Sequence, residues 1–285
     1  MGTLIKGKPV ADKIKEDIKA EVKELRAKGT IPKLSIIRVG ADPGDISYER
    51  GALKVMSELD IDVQVNALPE NITQEEFVDF LKKVNSDSSV HGILIFRPLP
   101  KQLDENVIKY VIDANKDVDC FSPLNVAKVF EGDESGFPPC TPAAVMEMLK
   151  YYNVELKGKR AVVIGRSMIV GKPVSMMLLK EHATVTICHS RTQNLPQVAS
   201  EADVLVVGIG RAKMVNSEYV KDGAVVIDVG INVDEDGKLC GDADTEDCAR
   251  KASLITPVPG GVGSVTTSVL AKQVIKACKL QTGSC

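Results

Sequence analysis

Apolar positions along this chain follow two rhythms. Val10, Ile14, Ile18, Val22 and Leu25 recur at helical spacing among lysines and acids. That pattern predicts an amphipathic helix over residues 8–28, closed by Gly29. The run Leu34–Val39 reads as a strand, followed by a turn at residues 40–44 and a helix from about Ile46 to Leu59. Residues 62–68 are strand-like, and Thr73 with Glu76 has the spacing of a capping box that opens a third helix. Residues 91–96 form a buried strand that runs into Arg97-Pro-Leu-Pro100. Residues 132–139 read as a loop at a boundary, and Thr141 to Tyr152 as a connecting helix. Further runs at 161–164, 184–188, 204–208, 225–229 and 253–256 predict strands, and residues 265–279 a last helix. Strands alternating with helices imply an α/β chain with parallel strands.

One of those alternations is more specific. The strand Ala161–Ile164 breaks into Gly165-Arg166-Ser167, and after Gly171 and Pro173 a helical pattern resumes. A strand, a glycine turn and a helix N-terminus together offer backbone N–H groups to a pyrophosphate. The spacing departs from the usual G-x-G-x-x-G fingerprint, so the turn alone is equally consistent with an ordinary strand-to-helix connection.

Composition narrows the functions available. The chain has 285 residues, with 36 basic and 39 acidic side chains and a formal charge of −3. Nothing in that balance asks for nucleic acid or an anionic membrane surface. No apolar run approaches the ~18 residues of a membrane span. The first residues turn charged quickly and lack a signal-peptide core, so a cytoplasmic protein is expected. The seven cysteines, at 120, 140, 188, 240, 248, 278 and 285, are scattered without a C-x-x-C pair. They are expected as buried hydrophobes rather than disulfides, and with three dispersed histidines no metal site is expected.

Chemistry gathers at two places. In an NAD site a carboxylate commonly follows the second strand and binds the ribose hydroxyls. Here that region reads Cys188-His-Ser-Arg-Thr192 and carries no acid. Ser190 and Arg191, with Arg166, instead suit a 2′-phosphate, which favours NADP over NAD. The alternative is that Arg191 is a solvated loop residue. The second place is Thr256-Pro-Val-Pro-Gly-Gly-Val-Gly-Ser264, a stiffened turn after a late strand. Pro257, Gly260 and Gly261 would let backbone approach a flat substrate there, unless the segment is only a tight turn.

These segments join others: Val39-Gly40 with Tyr48, Gly92–Ile95, Pro98-Leu-Pro100, Lys116–Asp119, Cys140–Pro142, Ile169–Pro173 and Ile227–Asn232. On them the chain resembles the bifunctional methylenetetrahydrofolate dehydrogenase/methenyltetrahydrofolate cyclohydrolase family over nearly its whole length. The resemblance implies a folate-site α/β domain (residues 1–143, with the helix at 266–285 packed back on it). It also implies a Rossmann-type NADP-binding domain (144–265) with a mostly parallel sheet, and a homodimer formed through the cofactor domain. It further implies that Gly165, Arg166, Ser167, Ser190 and the backbone of Ile231 contact NADP, to which the reading of the turn and loop adds Gly171 and Arg191. Tyr48 would stack on the folate and Asp119 anchor the pterin.

The chain departs from the family at that folate end. The family's catalytic lysine lies four residues after the tyrosine, on the same helix face, where this chain has Ala52. Lys54 is two residues further and points to the opposite face. The family's catalytic glutamine falls on Phe96, Arg97 replaces an apolar residue, Cys120 a glycine, and Ser264-Val265 a Pro-Met pair. Arg97 could meet a carboxylate or face solvent. The expectation is an NADP-dependent dehydrogenase with cyclohydrolase activity weakened or lost. Two other readings stay open: an oxidoreductase on a different substrate, and a silent member that binds nucleotide or folate.

Overall fold

The computed structural model describes residues 1–283, so the last two positions of the expected C-terminal helix, including Cys285, lie outside the described residues. In chain order the first elements are β1 (Thr3–Leu4), α1 (Gly7–Ala27), β2 (Lys33–Val39), α2 (Pro43–Glu58) and β3 (Asp62–Leu68). Then come α3 (Gln74–Ser86), β4 (Gly92–Ile95), α4 (Glu105–Ile108), α5 (Pro123–Glu131) and α6 (Cys140–Tyr151). The later part holds β5 (Arg160–Ile164), α7 (Gly171–Lys180), β6 (Thr184–Cys188), α8 (Leu195–Ala199), β7 (Val204–Val207) and β8 (Val225–Asp228). It closes with β9 (Asn232–Val233), β10 (Leu239–Cys240), α9 (Thr245–Cys248), β11 (Leu254–Ile255) and α10 (Thr266–Thr282). No helix among the described residues is long and apolar enough to cross a membrane.

The chain divides into two units. One comprises Met1–Asp12 and Pro139–Thr266, the other Lys13–Pro138 and the chain from Thr267 onward. The resemblance implies a folate-site domain that starts at residue 1; in the structure β1 pairs in parallel with β11, inside the unit that holds the later sheet. That unit is built on a six-stranded sheet of order β1-β11-β8-β7-β5-β6, with every pairing parallel. Its central strands are near-continuous apolar runs, as burial on both faces requires. The other unit has a three-stranded parallel sheet of order β3-β2-β4. Phe77, Leu81, Ile37, Ile93 and Ile108 form the centre of its core. The described cysteines are all buried, and none of them forms a disulfide.

Two local departures from the sequence pattern matter. Helix α2 begins at Pro43, three residues earlier than its apolar spacing suggests. Asp42 caps it by accepting from the N–H groups of Gly44 and Asp45, and Pro43 fills the first turn, where its missing N–H costs nothing. Helix α7 likewise begins at Gly171, so the glycine belongs to the helix rather than to the turn before it.

Within its unit, α10 is tied by backbone-directed side chains. Gln273 donates to the carbonyls of Val118 (2.9 Å) and Pro138 (3.0 Å), and Gln281 to those of His91 (2.7 Å) and Asn115 (3.1 Å). These bonds fix the segment around Val118, which leads into Asp119.

Candidate active site

In the six-stranded sheet, β5 is followed in sequence by β6 on one side, after which the chain returns to β7 on the other. That reversal of strand order is where open α/β sheets bind ligands, at the carboxyl ends of the strands. Gly165 sits there with φ of 136°. A Cβ on it would strike the Gly208 carbonyl beyond β7, and one on Gly171 would strike the Gly165 carbonyl. Both glycines therefore bring three backbone segments together at the N-terminus of α7. Ser167 caps that turn, its hydroxyl accepting from the N–H groups of Val170 (3.0 Å) and Gly171 (3.4 Å).

Strand register brings the expected phosphate ligands alongside one another. Ile164 pairs with Cys188, and the Gly165 N–H donates to the Cys188 carbonyl at 2.9 Å. Arg166 and Ser190 thus leave neighbouring strands at matching positions, and both are exposed, as is Arg191. Neither arginine pairs with a carboxylate among the described residues. Two available guanidinium groups beside a hydroxyl, with no acid, are a donor set that fits a phosphate. The Arg191 N–H donates to His189 Nδ1 at 3.1 Å, which shapes the loop that presents its side chain.

Behind this surface lie two buried carboxylates that sequence reasoning does not single out. Asp242 accepts from the backbone N–H groups of Ile209 (2.6 Å), Gly210 (3.0 Å) and Arg211 (2.6 Å), and from Asn232 Nδ2 (2.9 Å). Asp228 accepts from the N–H groups of Gly230 (2.9 Å), Asp242 (3.1 Å) and Ala243 (2.8 Å). Its own N–H donates to Thr256 Oγ1 at 2.7 Å. Together they lash the loops after β7, β8 and β11, which is where Ile231 and Pro257 sit. Burial raises the Asp228 carboxyl to about 6, outweighing the three N–H donors that favour its anion. Two glycines make room for them: a Cβ on Gly230 would strike Asp242, and one on Gly241 would strike Asp228.

Ile231 is 68% exposed, so its backbone lies at the surface. Gly260 has φ of 97° and its carbonyl accepts from the Gly7 N–H at 2.8 Å. Gly261 is buried, and a Cβ there would strike the Pro257 carbonyl, so the turn is packed as tightly as its composition suggests.

In the other unit the sheet again gathers functional groups at its carboxyl end. Tyr48 lies on α2, with its ring in an edge contact to Phe96, centroids 5.8 Å apart and planes at 83°. Ala52, one helical turn on, is 0% exposed. Lys54 is exposed to solvent. The rotation of α2 is held by Glu49, whose carboxylate meets Arg38 Nε at 2.9 Å with both side chains largely buried. The same guanidinium donates to the Gly40 carbonyl.

Asp119 follows a loop built on the buried Asp117. That carboxylate accepts from the N–H groups of Phe121 (3.0 Å) and Ser122 (2.8 Å) and from Asn125 Nδ2 (2.9 Å). Cys120 adopts φ of 59°, a conformation that favours glycine, and burial pushes its thiol well above the usual range. Arg97 does not face solvent. Its Nη2 lies 3.9 Å from Asp119 Oδ2, and its guanidinium carbon 4.5 Å from the centre of the Phe121 ring.

Comparison with known proteins matches both units. Residues 5–119 match the catalytic-domain model of the tetrahydrofolate dehydrogenase/cyclohydrolase family, and residues 139–282 its NAD(P)-binding-domain model. The chain is 68% identical over 280 residues to the bifunctional protein FolD of Clostridioides difficile, covering 98% of each. The crystal structure of the bifunctional FolD methylenetetrahydrofolate dehydrogenase/cyclohydrolase from Campylobacter jejuni superposes with a TM-score of 0.96. That pair is 44% identical and covers 98% of this chain and 99% of the other. The Trypanosoma brucei enzyme, solved with NADP cofactor and inhibitor, gives a TM-score of 0.93 at 36% identity, covering 99% and 98%. With both of the family's domain models matched one after the other along the chain, it belongs to the tetrahydrofolate dehydrogenase/cyclohydrolase family.

Proposed function

We propose that this protein oxidises methylenetetrahydrofolate to methenyltetrahydrofolate with NADP, and that its cyclohydrolase activity is weak or lost. The observation that carries the second half is the wall beside Tyr48. Ala52 presents only a methyl group, fully buried, and Phe96 closes edge-on against the tyrosine ring. Where the family has a lysine and a glutamine, this wall has no group that can move a proton.

The two reactions depend on such a group to different degrees. When bound, NADP supplies a two-electron acceptor for the methylene carbon. The cation left on that carbon is stabilised by the folate's own nitrogen lone pair, so the protein's task is binding and orientation. Tyr48 stacks on the folate and Asp119 anchors the pterin. Arg166, Ser190 and Arg191 take the 2′-phosphate. Gly165, Ser167, Gly171 and the Ile231 backbone cradle the rest of the cofactor. Opening the methenyl ring with water requires proton transfer, and removing a positioned acid–base group costs about 10²–10⁴ in rate. Cys120 is no substitute, because burial holds it as a thiol. A different, acidic substrate loses support because the cation that would bind it, Arg97, already faces Asp119.

A homodimer through the cofactor unit is part of the proposal. Strand β6 is the sheet's edge, and Ile187 on it and Leu179 on the preceding helix are exposed apolar side chains. Sedimentation of the purified protein as a monomer would remove this part alone. For the activity, methylenetetrahydrofolate is supplied with NADP or NAD and the reduced cofactor is followed. Faster reduction of NADP is expected, and no reduction of either cofactor sinks the reading.

A further inference from the structure

We propose that Arg97 is a positioning residue that sets folate affinity by holding the Asp119 carboxylate; this rests on the reading of Asp119 as the pterin anchor. Two adjacent residues after β4 diverge, Phe96 toward Tyr48 and Arg97 toward the loop of Asp119. The Asp119 main chain is fixed from below, its N–H pointing to Asp117 Oδ1 at 3.4 Å. Its side chain is restrained from the Arg97 side. At 3.9 Å the Arg97–Asp119 contact is Coulombic and too long to be a hydrogen bond. It therefore orients the carboxylate without consuming one of its acceptor positions. A pterin offers a ring N–H and an exocyclic amino group side by side, and a carboxylate recognises that edge with both oxygens.

The guanidinium is itself held flat over Phe121, 4.5 Å from the ring centre. The side chains of Arg97 and Asp119 are 15% and 27% exposed, so solvent screens the pair only partly. Lysine could supply the charge at position 97 but not the flat, stacked plane, which makes it a graded replacement. Leucine would supply neither.

The test is a steady-state comparison of Arg97→Leu, Arg97→Lys, Asp119→Asn and the Arg97→Leu/Asp119→Asn double variant. Arg97→Leu is expected to raise the KM for methylenetetrahydrofolate about tenfold, with kcat within about threefold and the KM for NADP within about twofold. Arg97→Lys should fall between Arg97→Leu and the parent. The double variant should match Asp119→Asn within about twofold, because Arg97 acts only through that carboxylate. Three results overturn the proposal: a folate KM unchanged in Arg97→Leu, a parallel loss at the NADP site, or effects that multiply in the double variant. If the parent protein shows no turnover, the proposed function fails. Titration calorimetry with tetrahydrofolate on the same variants then decides this inference by the same ratios, and absence of binding to the parent also overturns it.

Discussion

The two units solve a similar problem with opposite treatment of charge. Each gathers its functional groups where parallel strands end. In the cofactor unit the carboxylates are internal, and Asp228 and Asp242 spend their oxygens on backbone N–H groups. The guanidinium groups of Arg166 and Arg191 are left facing out. In the other unit Asp117 is internal in the same way, but the cations are internal too: Arg38 is engaged by Glu49, and Arg97 by Asp119 and Phe121. The wall beside Tyr48 is apolar. A site that only has to hold an anion needs fixed donors, whereas a site that moves protons needs a titratable group in contact with the reacting atoms. The exposed guanidinium groups suit the first requirement, and Ala52 and Phe96 supply no titratable group for the second.

The largest effect expected from breaking this contrast comes from restoring a proton carrier. Ala52→Lys combined with Phe96→Gln should raise methenyltetrahydrofolate hydrolysis by about 10²-fold or more, read as loss of the methenyl chromophore. Ala52→Lys alone should gain less, since Phe96 still fills the space and a buried ammonium lacks a partner. No gain from the double variant would mean that the site differs in more than these two side chains. A smaller effect is expected at the other end. Arg166→Ala or Arg191→Ala should raise the KM for NADP by about ten- to thirtyfold while altering that for NAD by less than about threefold. Equal losses with both cofactors would remove these residues from the 2′-phosphate. The smallest effect is at Lys54, exposed on the solvent side of α2. Lys54→Ala should leave both rates within about twofold, and a collapse of hydrolysis would identify it as the missing base.

The strands and long helices were legible in the sequence because their burial is periodic. Val10, Ile14, Ile18, Val22 and Leu25 all lie in the core, and β3 and β6 have the bounds that their apolar runs suggest. Elements that depend on a distant partner were not. Strand β1 is two residues long and exists because β11, far along the chain, is beside it. Helix α5 did carry local signals, with Ser122 as cap, Pro123 in the first turn and Gly132 in the left-handed conformation at its end. Its apolar residues do not mark a core-facing stripe, because none of them is buried. The candidate cofactor residues were picked from a strand–turn–helix order, which is local, and the structure has that order at β5 and α7. The roles of Asp228, Asp242, Arg38 and Glu49 could not, because each acts on backbone or charge brought close only by folding.

On the function proposed above, the protein oxidises methylenetetrahydrofolate and opens the methenyl product weakly or not at all. With purified protein, methylenetetrahydrofolate and NADP, reduced cofactor and methenyltetrahydrofolate are followed together against a protein-free control of methenyl hydrolysis. Accumulation of methenyl product in step with reduced cofactor, decaying only at the spontaneous rate, is the predicted result. Methenyl product that is consumed well above that rate as it forms would contradict the account.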